Sequence, residues 1–233
     1  MRIHETINSV WNKDEYKMVH RPVIVGEIRR WEQFSSPVER VLDMPIKFPG
    51  TEYRVPKNLD HFWGSITTCI REENRINPKH DQFYAYLTID QGWVLPNQTH
   101  RTSGYHVDGM QGARINPKVT IEHSYLASNT LPTVFCPQPF YVTDLDEDTH
   151  NFFATFEKQA LVRNEMVFPD YTIILQDAYC VHRCSRAYKP TYRTFFRLEY
   201  SVRIWDRLGN THNPLFDYNW DMVPRDIPKH LGI

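Results

Sequence analysis

The sequence predicts a mainly β fold with flanking helices, an antiparallel sandwich or partly closed barrel. Three observations predict it. Short segments rich in Tyr, Phe, Val, Ile and Thr follow one another from Phe83 to Ile204, separated by turn residues. The sixteen prolines are scattered as turn punctuation, which suits many short strands better than long helices. Only two stretches carry helical periodicity.

The first helix is expected over about Leu59 to Arg75, with Asn58 as its cap and Phe62, Ile66, Cys69 and Ile70 at helical spacing. Strands are then expected at Phe83 to Ile89, Tyr105 to Val107, Val119 to Leu126 and Phe140 to Val142. A second helix follows over about Thr149 to Arg163, where Phe152, Phe153, Phe156, Ala160 and Leu161 form an apolar stripe behind an Asp148 cap. Further strands are expected at Tyr171 to Leu175, Tyr179 to Cys184 and Arg193 to Ile204. Residues 1–82 form a flanking segment, outside the barrel, that would cover one sheet. The tail from Trp205 to Trp220 is expected to pack across the barrel end or a neighbouring subunit.

A chain of 233 residues fits one large β domain, and 41% hydrophobic with 14% aromatic residues is ample for a packed core. A net charge of -1 builds no positive field for a phosphate backbone, so nucleic acid is not the expected partner. No apolar run approaches the roughly 18 to 20 residues of a membrane span, and Met1-Arg-Ile-His-Glu-Thr6 lacks an apolar leader core. A cytoplasmic location is expected. Four cysteines are too few for a disulfide framework in a chain this long and are read as reduced thiols. Cys180 and Cys184 flank His182 at alternating positions, which makes zinc conceivable. A structural zinc module would need a second closely spaced cysteine pair, and the chain has none.

The candidate chemistry begins at Gly104-Tyr-His-Val-Asp-Gly109. On an extended strand, His106 and Asp108 share a face and can grip one ion, whereas on a helix they would diverge. Far downstream, Tyr179-Cys-Val-His-Arg-Cys184 supplies a second imidazole at His182. Two imidazoles and one carboxylate are the set that binds ferrous iron on one face and leaves the opposite positions open. Arg193 and Arg197 follow, eleven and fifteen residues after His182. In their strand, residues 193, 195, 197 and 199 share one face and the apolar set 194, 196, 198 and 200 the other. An arginine directed into a barrel requires an anionic partner, because an unpaired buried charge is costly. A bound carboxylate meets that requirement through a bidentate hydrogen bond.

In order and spacing, His106, Asp108, His182 and Arg193 resemble the motif of the non-haem Fe(II)/2-oxoglutarate-dependent dioxygenases, over roughly residues 83 to 205. The resemblance implies a double-stranded β-helix and iron ligation by His106, Asp108 and His182. It also implies that Arg193, or Arg197 as a close second, pairs with the 5-carboxylate of 2-oxoglutarate. The activity it implies is oxygen-dependent hydroxylation or related oxidation of a C–H bond, with succinate and carbon dioxide as coproducts.

Gln111 and Arg114, just past the ligand segment, and His100 and Arg101, before it, lie where a substrate lid could be, although solvated loop is their ordinary reading. The stretch Tyr125-Leu-Ala-Ser-Asn-Thr-Leu-Pro-Thr133 is polar and turn-like. A small-molecule substrate is expected, since the charged or repetitive module of a macromolecule binder is missing. Two other readings compete: a cupin-like metal protein or isomerase that does not use 2-oxoglutarate, and a noncatalytic β-sandwich. An inward arginine after the distal histidine discriminates against the first, and metal binding against the second.

Overall fold

A computed structural model describes residues 11–28, 40–108, 123–146 and 150–224. Its strands are β1 (Val23–Glu27), β2 (Val41–Lys47), β3 (Tyr84–Val94), β4 (His123–Ser128), β5 (Val134–Phe135), β6 (Met166–Val167), β7 (Thr172–Asp177), β8 (His182–Arg183) and β9 (Thr191–Ser201). Helix α1 spans Trp63–Ile76 and α2 spans Phe152–Gln159. The fold is mainly antiparallel β with few helices. One sheet has six strands in the order β1-β7-β4-β9-β3-β2, and the other three in the order β6-β5-β8.

The face assignment along β9 holds. Phe196, Leu198 and Tyr200 pack with Tyr125, Ile173, Leu175 and Leu87 in the core beneath α1, while Phe195 points the other way, to a core with Leu126, Phe135 and Ile174. Arg193 and Arg197, which alternate with the even residues, are buried on that inner side. The β3 register, with Leu87 opposite Leu198 and Thr88 opposite Arg197, puts Thr88 on the same inner face.

Several boundaries shift for physical reasons. A 3-10 turn over Lys57–Phe62 precedes α1, so Asn58 does not cap it. The expected stripe is present, and Phe62, Ile66 and Cys69 are fully buried. The α1 helix ends at Asn77, whose next residue is Pro78; a residue before proline is disfavoured in helical backbone. α2 starts at Asn151, whose side chain accepts from the Ala154 amide, and it ends before an extended Ala160. Leu161 is consequently exposed rather than part of the stripe, and Asp148 lies outside the described residues.

The segment before residue 83 adds β1 and β2 as the two edges of the larger sheet, so strands of the sheet begin before residue 83. No strand forms at Phe140 to Val142, whose Phe140 and Val142 pack instead with Tyr16, Phe152 and Phe156. Tyr105 to Val107 reduces to a single antiparallel bridge between His106 and His182. The tail packs on the sheet: Trp205 stacks on Tyr86 with centroids 4.4 Å apart, and Phe216 on Phe48 at 4.4 Å. Among the described residues no helix is long and apolar enough to cross a membrane.

Candidate metal centre

The bridge between His106 and His182 builds the site. Each residue donates its amide to the other's carbonyl, at 2.8 and 2.9 Å. Directly opposed residues of an antiparallel pair project their side chains to the same side, and the two imidazole centroids are 4.5 Å apart. Asp108, two residues on from His106, completes a cluster whose ligand atoms all lie within 4.8 Å of one another. The Asp108 Oδ2 to His182 Nε2 separation is 3.7 Å.

Both rings are oriented from behind. His106 Nδ1 lies 2.9 Å from the Gly104 carbonyl, and His182 Nδ1 lies 2.9 Å from the Cys180 carbonyl. A carbonyl only accepts, so each Nδ1 carries the hydrogen and each Nε2 presents a lone pair to the cluster, the arrangement a metal requires. Burial, with His182 beside it, pushes the His106 imidazole down to about 4, which keeps it in the neutral form. The residues flanking the ligands are clamped as well. Tyr105 donates through its hydroxyl to Glu165, and Arg183 donates to the same carboxylate oxygen at 2.7 and 2.9 Å.

Asp108 is gripped by two donors. Gln176 Nε2 donates to Oδ2 at 2.8 Å, and Arg197 Nη1 donates to Oδ1 at 3.1 Å. Burial alone would raise the Asp108 carboxyl, but Arg197, with His182, His106 and Arg101 behind it, outweighs burial and holds it well below the usual carboxylate range. Arg197 Nη2 also lies 3.1 Å from Asp43 Oδ1 and 2.7 Å from Glu199 Oε2. Asp43 reaches this position because β2 bulges between Val41 and Met44, with Asp43 in left-handed backbone at φ 44°. Such backbone costs on the order of 1–3 kcal/mol outside glycine and clusters at functional sites. Thr88 holds the bulge, its hydroxyl accepting from the Asp43 amide and donating to the Asp43 carboxylate.

This gives a test of whether a metal fits. Three carboxylates, Asp43, Asp108 and Glu199, approach the Arg197 guanidinium. The Asp108 carboxylate and the two imidazole nitrogens converge within 4.8 Å of one another, and a divalent cation there would be held by one negative charge and two lone pairs. Nitrogen and oxygen donors without sulfur suit iron or manganese as well as zinc. The donor set fits.

Arg193 stands in different surroundings. Its side chain is 1% exposed. Nε donates to the Thr130 carbonyl at 3.2 Å, Nη1 lies 3.4 Å from His100 Nδ1, and Nη2 has no partner among the described residues. No carboxylate forms an ion pair with it among the described residues, and burial pushes the guanidinium down to about 10. The Thr130 carbonyl belongs to the turn after β4, so part of the stretch read as merely turn-like anchors this arginine.

Of the other residues singled out, Arg101 donates to Asp90 at 3.3 Å with its guanidinium 5.0 Å from the Phe195 ring centre, and is not the solvated loop residue expected. His100 is partly buried beside Arg193. Gln111 and Arg114 lie outside the described residues. Sequence reasoning missed Gln176, Asp43, Thr88 and Glu199. Gln176 had a signal, a polar residue inside the apolar run Ile173-Ile-Leu-Gln176; Asp43 had none.

No protein-family model and no curated protein matches the sequence. Among solved structures, the chain is similar to a crystal structure of an oxidoreductase of the 2OG-Fe(II) oxygenase family from Burkholderia pseudomallei. That likeness has 17% identity and a TM-score of 0.37, over 74% of this chain and 75% of that one. Similarity that distant transfers no role to any residue, and the chemistry has to come from the side chains.

Proposed function

We propose that the protein is an Fe(II)- and 2-oxoglutarate-dependent oxygenase that hydroxylates, or otherwise oxidises, a C–H bond of a small-molecule substrate, and that its two sheets form a double-stranded β-helix. The observation that carries this reading is the charge pattern along one face of β9. Arg197 lies against three carboxylates at the His106, Asp108 and His182 cluster, and Arg193, four residues along the same face of β9, is buried with no carboxylate paired to it among the described residues. One end calls for a cation and the other for a carboxylate. A metal-chelating dicarboxylate answers both.

In this reading His106, His182 and Asp108 hold ferrous ion, and Arg193 takes the 5-carboxylate of 2-oxoglutarate. Arg197 and Gln176 fix Asp108 so that one carboxylate oxygen keeps its direction. Arg197 thereby has a structural task, which leaves Arg193 as the cosubstrate residue. When bound, iron, oxygen and 2-oxoglutarate supply the oxidising power, the cosubstrate ending as succinate and carbon dioxide. The chain's own part is to orient and to exclude water. Phe153 lies 5.8 Å from the His106 ring and Phe135 lies 5.9 Å from the His182 ring, while Leu126, Ile174 and Phe195 form an apolar core between the sheets.

The test is succinate production by iron-loaded protein supplied with 2-oxoglutarate and oxygen. We expect iron-dependent turnover that disappears in His106→Ala and in His182→Ala. Undiminished turnover in either variant overturns the reading.

A further inference from the structure

Beside the guanidinium assigned to the cosubstrate stands an imidazole that the reaction above does not use. His100 Nδ1 lies 3.4 Å from Arg193 Nη1, and its Nε2 lies 3.8 Å from Asp90 Oδ1. The His100 side chain is 10% exposed. An arginine nitrogen can only donate, so Nδ1 accepts in this arrangement, and the ring hydrogen sits on Nε2, facing Asp90. The neutral imidazole and the Thr130 carbonyl together hold Arg193 by Nη1 and Nε and leave Nη2 open.

We propose that His100 is a second recognition residue for the distal carboxylate bound at Arg193, and that the dicarboxylate enters together with one proton taken up by this imidazole. The inference rests on the cosubstrate reading above. Its balance is simple. With the site empty, Arg193 Nη1 donates to His100 Nδ1. When a carboxylate arrives, Nη1 turns its hydrogen to the anion, and Nδ1 is released. Solvent supplies a proton to Nδ1, which becomes a donor to the same carboxylate. One imidazole thus changes from a prop for the guanidinium into a ligand for the anion.

The charges around His100 fix the sign. Burial holds the imidazole below its ordinary value, as do Arg193 on β9, its neighbour Arg101, and Arg40 just before β2; Asp90 on β3 pulls the other way. A carboxylate on Arg193 offsets the guanidinium and adds a negative charge, so the imidazole gains a proton more easily in the bound state. Affinity for the dicarboxylate therefore rises as pH falls through the ordinary histidine range, by up to about tenfold for each pH unit.

Calorimetric titration of 2-oxoglutarate into anaerobic, manganese(II)-loaded protein tests this without turnover. Measurement in two buffers of different ionisation enthalpy, between about pH 6 and pH 8, counts the protons taken up. We expect uptake with 2-oxoglutarate and none with pyruvate, which keeps the 2-oxo acid end but has no distal carboxylate. His100→Gln, which retains an acceptor for Arg193 but does not titrate, should bind 2-oxoglutarate with no uptake. Equal uptake with pyruvate, or wild-type uptake in His100→Gln, overturns the inference, and the pyruvate comparison decides it even where that variant fails to fold. Binding of 2-oxoglutarate without proton uptake overturns the role of His100 alone. No binding at any pH overturns the cosubstrate reading with it.

Discussion

Arg193→Met and Arg197→Met both remove a buried guanidinium from one face of β9, yet they should change stability very differently. Arg193, pushed down to about 10 from an ordinary value of 12.5, has lost roughly 3 kcal/mol of charge solvation. Against that stands its bond to the Thr130 carbonyl, worth about 1.5–3 kcal/mol to a charged donor. Methionine fills most of the same apolar volume, so Arg193→Met should fall within about 1 kcal/mol of the wild type, on either side. Arg197 lies against Asp43, Asp108 and Glu199 at 3.1, 3.1 and 2.7 Å. Its removal takes that guanidinium from three carboxylates, at a cost of about 3–5 kcal/mol. The assay is urea unfolding of metal-free protein at neutral pH, since guanidinium salts would screen the charges in question. A gap between the variants of at least about 2 kcal/mol is expected. Equal losses, or a larger loss for Arg193→Met, would refute the assignment of one arginine to structure and the other to a ligand. Adding 2-oxoglutarate and manganese sharpens the contrast. At a hundredfold excess over Kd, the ligand should stabilise the wild type by about 2.7 kcal/mol and leave Arg193→Met nearly unmoved.

Two further outcomes follow from the same contacts. Gln176→Leu removes the donor to Asp108 Oδ2 and should weaken manganese(II) binding by about 10- to 100-fold in a competition titration; unchanged affinity would mean that Gln176 does not orient the ligand. Glu73, on the buried face of α1, accepts from His123, Asn77 and Tyr125. Burial would raise its carboxyl, but His123, with Asn77 and Tyr125, outweighs burial and holds it below its ordinary value. A carboxyl lowered in the folded state contributes stability above its unfolded value and loses it as pH falls through the folded one. Glu73→Gln should therefore cost about 3 kcal/mol near neutrality and flatten the acid limb of the stability profile, and a variant with the wild-type acid slope would exclude this role.

How much of this was legible in the chain depends on the range of the interactions involved. Period-two alternation is local, and it placed Phe196, Leu198 and Tyr200 on one face of β9 and the arginines on the other. The convergence of His106 and Asp108 was legible for the same reason, since a His-x-Asp in extended backbone shares a face wherever it sits. The edge strands were not. Val23-Ile-Val-Gly-Glu27 is five residues long with a glycine, and Val41-Leu-Asp-Met-Pro-Ile-Lys47 carries both Asp and Pro, so neither shows the uninterrupted β character of an inner strand. The cap of α2 was missed by three residues because Asp148 and Asn151 are equally good caps, and only packing of Phe152 and Phe156 against Tyr16 chooses between them.

The division of labour between Arg193 and Arg197 lay beyond any local reading. Alternation treats residues four apart on a strand as equivalent, and what separates them arrives from 154 residues away, where the β2 bulge turns Asp43 inward to Arg197. The overall charge of -1 conceals the result. Inside the fold, His106, Asp108 and His182 bring metal-ligating atoms together, and among the described residues no carboxylate pairs with Arg193. A metal alone would settle the first and leave Arg193 buried and unpaired. A dicarboxylate alone would settle the second and bring its remaining negative charge toward the Asp108 carboxylate. Each ligand removes the electrostatic obstacle to the other, so their binding should be mutually reinforcing, and by thermodynamic reciprocity the gain in dicarboxylate affinity on adding metal must equal the gain in metal affinity on adding dicarboxylate.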